Sequence, residues 1–266
     1  MSVLVVNIIP EGIILGADRL LRWGPDLENR FGFAEGFKIL RWPNRRALVG
    51  FVGMADLGRR SERNSTFEWL TDFIGSHHDF DTLESLAAVL CNDIQTQFDN
   101  DGWSGDDGDL LVLELAGFGA TAEGQRIPEV WHIANAHGID TTTGTYTNID
   151  SNFGFSEEFL QHIPLEGRTT IREVLAAQPF WIHQTGDFAL FNDLCGRLDQ
   201  FFDRRLEIAG IVPTELNAQY DRLLDFESRV RMKVLSYGAF NDAFETPVTR
   251  TVGGGADVLM LEWPDM

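Results

Sequence analysis

The residue types at the start of the chain are those of nucleophilic chemistry. Ser2 is the second residue, so removal of Met1 would leave one residue with both a free α-amine and a hydroxyl. An α-amine has a reference pKa of about 7.7–8.0, so part of it is neutral at cellular pH and can accept the hydroxyl proton. Asp18 ends the second of two predicted strands, beside the start of the first. The pattern predicts a nucleophile, a base and a carboxylate close together.

Two apolar runs must position these groups. Residues 2–9 and 12–18 read as strands joined by a tight turn at Pro10, Glu11 and Gly12. Further strands are predicted at 37–42 and 46–52. The first and last of these four runs are almost continuously apolar, which is typical of strands covered on both faces.

The order of the later elements predicts the fold class. Two amphipathic helices are expected at 65–74 and 82–98, and more strands follow at 110–115, 129–134 and 141–149. Strand pairs, two helices and then more strands predict an α+β fold. We expect a four-layer αββα sandwich, in which two sheets face each other and helices cover the outside.

The last hundred residues are expected to be mostly helical. A capping-box spacing at 170–173 and apolar stripes along 188–202 and 214–234 indicate helices, and a last strand is predicted at 258–262. The glycines at 253–255 are expected to let the backbone pass close to the first strand. We predict one domain over residues 1–266, with a helical elaboration at about 180–245.

Composition limits the possible partners and location. The formal net charge of −20 argues against nucleic-acid and anionic-membrane partners, which need basic patches. No apolar run approaches the roughly 20 residues of a membrane span, and no basic stretch precedes the first apolar run, as a secretory signal would require. We therefore expect a cytoplasmic protein. Cys91 and Cys195 lie in apolar helical patterns and are expected to be buried thiols.

No metal site or cofactor is predicted. The acidic loop at 99–109 has Trp103 and Ser104 where an EF-hand needs an oxygen ligand and a glycine, so it is read as a solvated loop. His77 and His78 have no Cys or carboxylate cluster at metal-ligand spacing.

Four motifs in residues 2–56 occur in a fixed order. They are a potential N-terminal nucleophile, a strand that ends in Leu15-Gly-Ala-Asp18, a strand that begins Phe37-Lys38-Ile39, and the segment 48–56, Leu-Val-Gly-Phe-Val-Gly-Met-Ala-Asp. Their order and spacing resemble the proteasome β-subunit branch of the N-terminal-nucleophile (Ntn) hydrolases. The family places a carboxylate sixteen residues after the nucleophile, as Asp18 follows Ser2.

The resemblance implies roles for individual residues. Lys38 would lower the pKa of the amine and stabilise the developing alkoxide, while Asp18 would orient Lys38. The backbone N–H of Gly50 would stabilise the oxyanion, and losing such a donor costs about 3–4 kcal/mol. Ser151 would be a supporting residue. The substrate pocket would be lined by Leu21, Leu48 and Val52, which favour an apolar residue before the scissile bond, whereas Asp56 would favour a basic one if it reaches the pocket.

The resemblance leaves two functions open. The first is a peptidase or other amidohydrolase that needs no cofactor and works inside a homo-oligomeric ring. The second is a catalytically silent scaffold subunit of the same fold. Departures from the family pattern support the second, since the usual nucleophile is threonine, Asn152 follows Ser151 in place of glycine, and Thr249 and Val252 stand where the family has bracing Asp and Ser. Silent subunits generally extend before the first strand, and only Met1 stands there in this sequence.

Overall fold

The structure is a computed structural model of the chain. It describes residues 2–9, 11–23, 32–43, 46–57, 65–105, 109–120, 126–140, 145–159, 181–186, 194–198, 200–201, 204, 208, 222–244 and 252–263. The strands are β1 (Val3–Ile9), β2 (Gly12–Asp18), β3 (Leu20–Trp23), β4 (Gly32–Glu35), β5 (Ile39–Arg41), β6 (Ala47–Gly53), β7 (Leu111–Ala120), β8 (Arg126–Asp140), β9 (Thr145–Glu157), β10 (Trp181–Gly186) and β11 (Ala256–Glu262). The helices are α1 (Thr66–Ser76), α2 (Leu83–Asp101) and α3 (Arg222–Phe244).

These strands form three antiparallel sheets. One sheet has the order β10-β1-β2-β11, and a second has the order β5-β6-β7-β8-β9. The hairpin β3-β4 is a separate two-stranded sheet. The first sheet therefore joins the two ends of the described chain, because β1 and β2 pair with strands that lie more than 170 residues later.

The main core lies between the four-stranded and five-stranded sheets. Alternate residues of β1 and β2 (Leu4, Val6, Leu15) pack against β6 and β7 (Leu48, Val112) in one apolar cluster. Every residue of β1 and β2 is buried, which confirms the prediction from their continuous apolar runs that both faces of β1 are covered.

Helices cover the outer faces of both sheets. The apolar stripes of α1 and α2 pack against the face of the five-stranded sheet that carries Leu113 and Leu115. Val230 and Val234 of α3 pack against the outward residues of β1 and β2. The starts of α1 and α2 are set by capping boxes at Ser65 and Thr82, close to the predicted helix starts.

The C-terminal third differs from the sequence prediction. Residues 181–186, inside the segment expected to be helical, form β10 and pair with β1. The β-branched residues Ile182 and Thr185 suit a strand, and the register of this strand is set by its distant partner. The predicted helix start at 170–173 and most of 188–202 lie outside the described residues.

Two further findings concern the cysteines and the apolar character of the helices. Cys91 and Cys195 are buried thiols, as predicted. Within the described part of the chain, no helix is both long and apolar enough to cross a membrane.

Candidate active site

Three of the predicted site residues meet in one buried cluster. Lys38 Nζ lies 2.7 Å from Ser2 Oγ and 2.9 Å from Asp18 Oδ1. Ser2 is 6% exposed, and the side chains of Asp18 and Lys38 are almost completely buried. Ser2 directly precedes β1, Asp18 ends β2 and Lys38 directly precedes β5, so three chain segments that are separate in sequence converge here.

Asp18 is held by the backbone as well as by Lys38. Its Oδ1 accepts the Val3 N–H at 3.0 Å, and its Oδ2 accepts the N–H groups of Leu20 at 3.1 Å and Gly253 at 3.3 Å. Both oxygens are therefore satisfied, and a buried carboxylate needs such partners to remain charged. This arrangement fixes the carboxylate in position to orient the ammonium group of Lys38.

The environment of Lys38 changes its proton affinity. Burial lowers the pKa of Lys38 below the ordinary value for lysine, and the attraction of Asp18 opposes this effect without cancelling it. A lysine of this kind gives up its proton more readily than an exposed one. The Lys38 amine beside Ser2 Oγ can therefore donate a hydrogen bond when charged and accept the hydroxyl proton when neutral.

Gly50 is placed differently from its predicted role. The continuous register of β6 and β7 pairs Gly50 with Glu114, and Met54 N–H donates to the Leu110 carbonyl four residues further along. Because hydrogen-bonded pairs alternate along an antiparallel ladder, the Gly50 N–H points at the Glu114 carbonyl. The geometry therefore argues against Gly50 as the oxyanion donor. A Cβ at this position would lie 2.5 Å from Leu4 Cδ1, so close packing between the sheets also accounts for the glycine.

The predicted pocket residues do not share one surface. Leu48 and Val52 are fully buried in the core between the two sheets, so they do not line an opening in this structure. Leu21 on β3 is half-buried, and its Cδ1 fills the space left by the missing side chain of Gly36. Asp56, just after β6, is half-buried as well.

The structure does not place Ser151 beside Ser2. Ser151 lies on β9, at the opposite edge of the five-stranded sheet from β5. Four strand spacings of about 4.8 Å separate these edges by about 19 Å. The Ser151 carbonyl accepts a hydrogen bond from Gln95 of α2 at 2.8 Å, so this residue contributes to helix packing.

The contacts that surround Asp18 are not predictable from the sequence alone. Arg19 forms an ion pair with Asp257 at 2.5 Å, and its N–H donates to the Gly255 carbonyl. The glycines at 253–255 pass along the end of β2 and the start of β3, and they reach the cluster through the Gly253 N–H. The sequence shows Arg19 directly after Asp18 and Asp257 two residues after the last of these glycines, but it does not show that the two residues pair.

Comparisons with known proteins give little further information. No family model matches the chain. No curated protein matches it either. Among solved structures, the chain is similar to Anbu (ancestral beta-subunit) from Yersinia bercovieri, with 12% sequence identity and a TM-score of 0.47 over 98% of this chain and 81% of that chain.

Proposed function

We propose that this protein is an amidohydrolase, and in particular a peptidase, whose nucleophile is the hydroxyl of Ser2 after removal of Met1. The observation that carries the proposal is the buried chain Ser2 Oγ–Lys38 Nζ–Asp18 Oδ1, with distances of 2.7 and 2.9 Å. A hydroxyl, an amine and a carboxylate in this order are the parts of an activated nucleophile.

The reaction proceeds through a covalent acyl-enzyme. Ser2 Oγ attacks the amide carbonyl carbon while its proton passes to the α-amine of Ser2 or to neutral Lys38. Collapse of the tetrahedral intermediate breaks the C–N bond, and the same proton goes to the leaving amine. Water then attacks the ester, loses a proton to the same base, and releases the acid and the free hydroxyl. Asp18 keeps Lys38 oriented throughout, since both of its oxygens are already held in place.

The arrangement of the layers supports the fold that this function requires. We propose a four-layer αββα sandwich of the Ntn-hydrolase type for the chain. Two sheets share one core, α1 and α2 cover one outer face, and α3 covers the other. Such a fold places the start of the first strand at the edge of the core between the sheets, where Ser2 lies.

We further propose a homo-oligomer of about six or more chains, because a peptidase with its nucleophile at the chain N-terminus is hazardous unless it is enclosed. Exposed apolar side chains on the C-terminal helical segments supply a contact surface, among them Ile208, Met232 and Leu235. A monomeric mass by light scattering at micromolar concentration would contradict this assembly.

The deciding experiment compares Ser2→Ala with wild type and with a control, Ser76→Ala. The control removes an exposed helical hydroxyl that donates to the Asp72 carbonyl. Intact mass should show loss of Met1 in wild type. An electrophile that needs both a hydroxyl and an α-amine should label wild type and Ser76→Ala but not Ser2→Ala. Hydrolysis of fluorogenic peptide amides should disappear only in Ser2→Ala, and full activity of that variant would refute the proposal.

The silent scaffold subunit is the second candidate, and two observations favour it. The Gly50 N–H is used inside the sheet, and the Ser2 side chain is almost buried. A scaffold subunit would resist the electrophile and hydrolyse no peptide amide, but would still assemble. The same labelling and hydrolysis measurements therefore separate the two functions.

A further inference from the structure

A second buried carboxylate lies outside the Ser2 cluster. Glu114 is completely buried, and its Oε1 lies 2.8 Å from His132 Nδ1 and 3.0 Å from His183 Nε2. The Thr185 hydroxyl donates to the same oxygen. Oε1 of Glu114 is therefore in hydrogen-bond contact with two imidazoles and one hydroxyl.

These residues come from both large sheets. Glu114 on β7 faces the space between the sheets, because Val112 and Ala116 two residues to either side belong to that core. His132 lies beside it on β8, and His183 lies on β10 in the four-stranded sheet. The cluster thus spans the gap between the sheets at a point where the rest of the core is apolar.

The hydrogen bonds leave this carboxylate half satisfied. Oε2 of Glu114 is buried and has no hydrogen-bond partner among the described residues. A buried carboxylate oxygen without a partner loses the solvation that it has in water. A cation bound by Glu114 would supply the missing interaction.

A cavity of about 260 Å³ adjoins the cluster. His132 and His183 line it, together with Tyr146 and Glu158. There is room for a water molecule or a small ligand next to the two imidazoles.

We propose that Glu114, His132 and His183 bind a divalent transition metal of the zinc class, with a fourth coordination position open to the cavity. The three ligand atoms all lie within 4.8 Å of one another. In a tetrahedral zinc site with bonds of about 2.0–2.1 Å, neighbouring ligand atoms are about 3.3 Å apart. The distances from Glu114 Oε1 to His132 Nδ1 and His183 Nε2, 2.8 and 3.0 Å, differ from this by a few tenths of an ångström. The two imidazole nitrogens lie no more than 4.8 Å apart, so their separation must shorten by at most about 1.5 Å.

The donor types select the metal. Imidazole nitrogen suits zinc, copper, iron and nickel, whereas calcium and magnesium prefer oxygen ligands alone. Three protein ligands and an open position are the pattern of a zinc site that binds water or a small ligand, as opposed to a closed structural site. The Thr185 hydroxyl donates to the Glu114 carboxylate and is therefore placed to orient Glu114 as a metal ligand.

The test uses Zn²⁺ and Co²⁺ as probes on the full chain after treatment with a chelator. Wild type should take up about one metal ion per chain by calorimetry and elemental analysis, and Co²⁺ should give the visible absorption of four-coordinate cobalt. His183→Gln and His132→Gln should each weaken binding by at least about tenfold.

His137→Gln is the matched control, because His137 on β8 also contacts a carboxylate, Asp150, at 3.3 Å but lies at the surface with no third ligand beside that pair in the described structure. It should bind metal as wild type does. Circular dichroism and thermal unfolding show whether each variant is folded. The proposal would be overturned if folded wild type did not bind Zn²⁺. It would also be overturned if folded His183→Gln and His132→Gln bound Zn²⁺ as tightly as wild type does.

Discussion

Asp18 and Glu114 are both almost completely buried carboxylates, but the protein neutralises them in different ways. Asp18 distributes its partners over both oxygens: a lysine and one backbone N–H on Oδ1, and two backbone N–H groups on Oδ2. Glu114 gathers three side-chain donors on one oxygen and leaves the other without a partner in the described structure. The first site is complete as it stands, whereas the second has coordinating capacity left over.

The charges around the two carboxylates also differ. At the first site the titrating group of interest is the cation, since burial lowers the pKa of Lys38. At the second, burial alone would raise the pKa of Glu114, but His183 and His132 outweigh burial and hold that pKa well below its usual range. The first site is therefore suited to proton transfer, whereas the second holds an ionised carboxylate between two imidazoles.

The largest expected effect is on catalysis, and it tests whether the Ser2 cluster and the Glu114 cluster act independently. Lys38→Met should reduce amide hydrolysis by about 10²–10⁴-fold, because the amine that activates Ser2 is lost. Zn²⁺ binding at Glu114 should not change. Initial rates on one fluorogenic peptide, together with calorimetric titration, measure both effects, and a parallel loss of metal binding would show that the sites are coupled.

A comparison of Asp18→Asn with Glu114→Gln tests the difference in hydrogen bonding. In Asp18→Asn the new NH₂ group must face N–H donors whichever way it is turned, so we expect a loss of about 3–5 kcal/mol in the free energy of unfolding. In Glu114→Gln the NH₂ group can occupy the unpartnered Oε2 position, and about 1–3 kcal/mol is expected.

Urea unfolding of both variants in the presence of a chelator measures these losses. The chelator removes any contribution of bound metal to the stability of the wild type. Equal losses would contradict the contrast between a saturated and a half-satisfied carboxylate.

The pH dependence of stability sharpens the contrast at Lys38. Because the pKa of Lys38 is lowered by folding, the unfolded state binds more protons between that pKa and the ordinary value of about 10.4. The free energy of unfolding should gain a contribution that rises with pH across this window, is complete above about pH 10.4 and is absent below the folded pKa. Lys38→Met should lack that rise in urea midpoints measured from neutral pH upward, and identical slopes would contradict it.

The smallest expected effect concerns specificity. Leu21→Val removes one methylene, worth about 0.8 kcal/mol, so the preference for leucine over alanine before the scissile bond should fall about fourfold if Leu21 lines the pocket. Peptides that differ only at that residue provide the measurement. Faster cleavage after Arg or Lys than after Leu would instead assign the pocket to Asp56.

The sequence predicts the part of the site that lies on the first strands of the chain, and it does not predict the parts that depend on the pairing of distant strands. Ser2, Asp18 and Lys38 lie within the first 38 residues, and the apolar runs that position them are continuous. Gly50 was read from a motif without its register, and register decides whether a backbone N–H is free. Ser151 was assigned by motif alone, and the strand order of the sheet places it at the far edge.

What the sequence by itself determined is local: the extents of β1, β2 and β6 from their apolar runs, the starts of α1 and α2 from helical spacing, and the order of Ser2, Asp18 and Lys38 along the chain. Only the tertiary structure decided that β10 pairs with β1 and brings His183 to Glu114 and His132, residues 69 and 51 positions away in sequence. Periodicity records which side of an element is apolar, but it contains no information about which distant strand pairs with which. A site built across two sheets is therefore determined by strand pairing and is not visible in any local pattern.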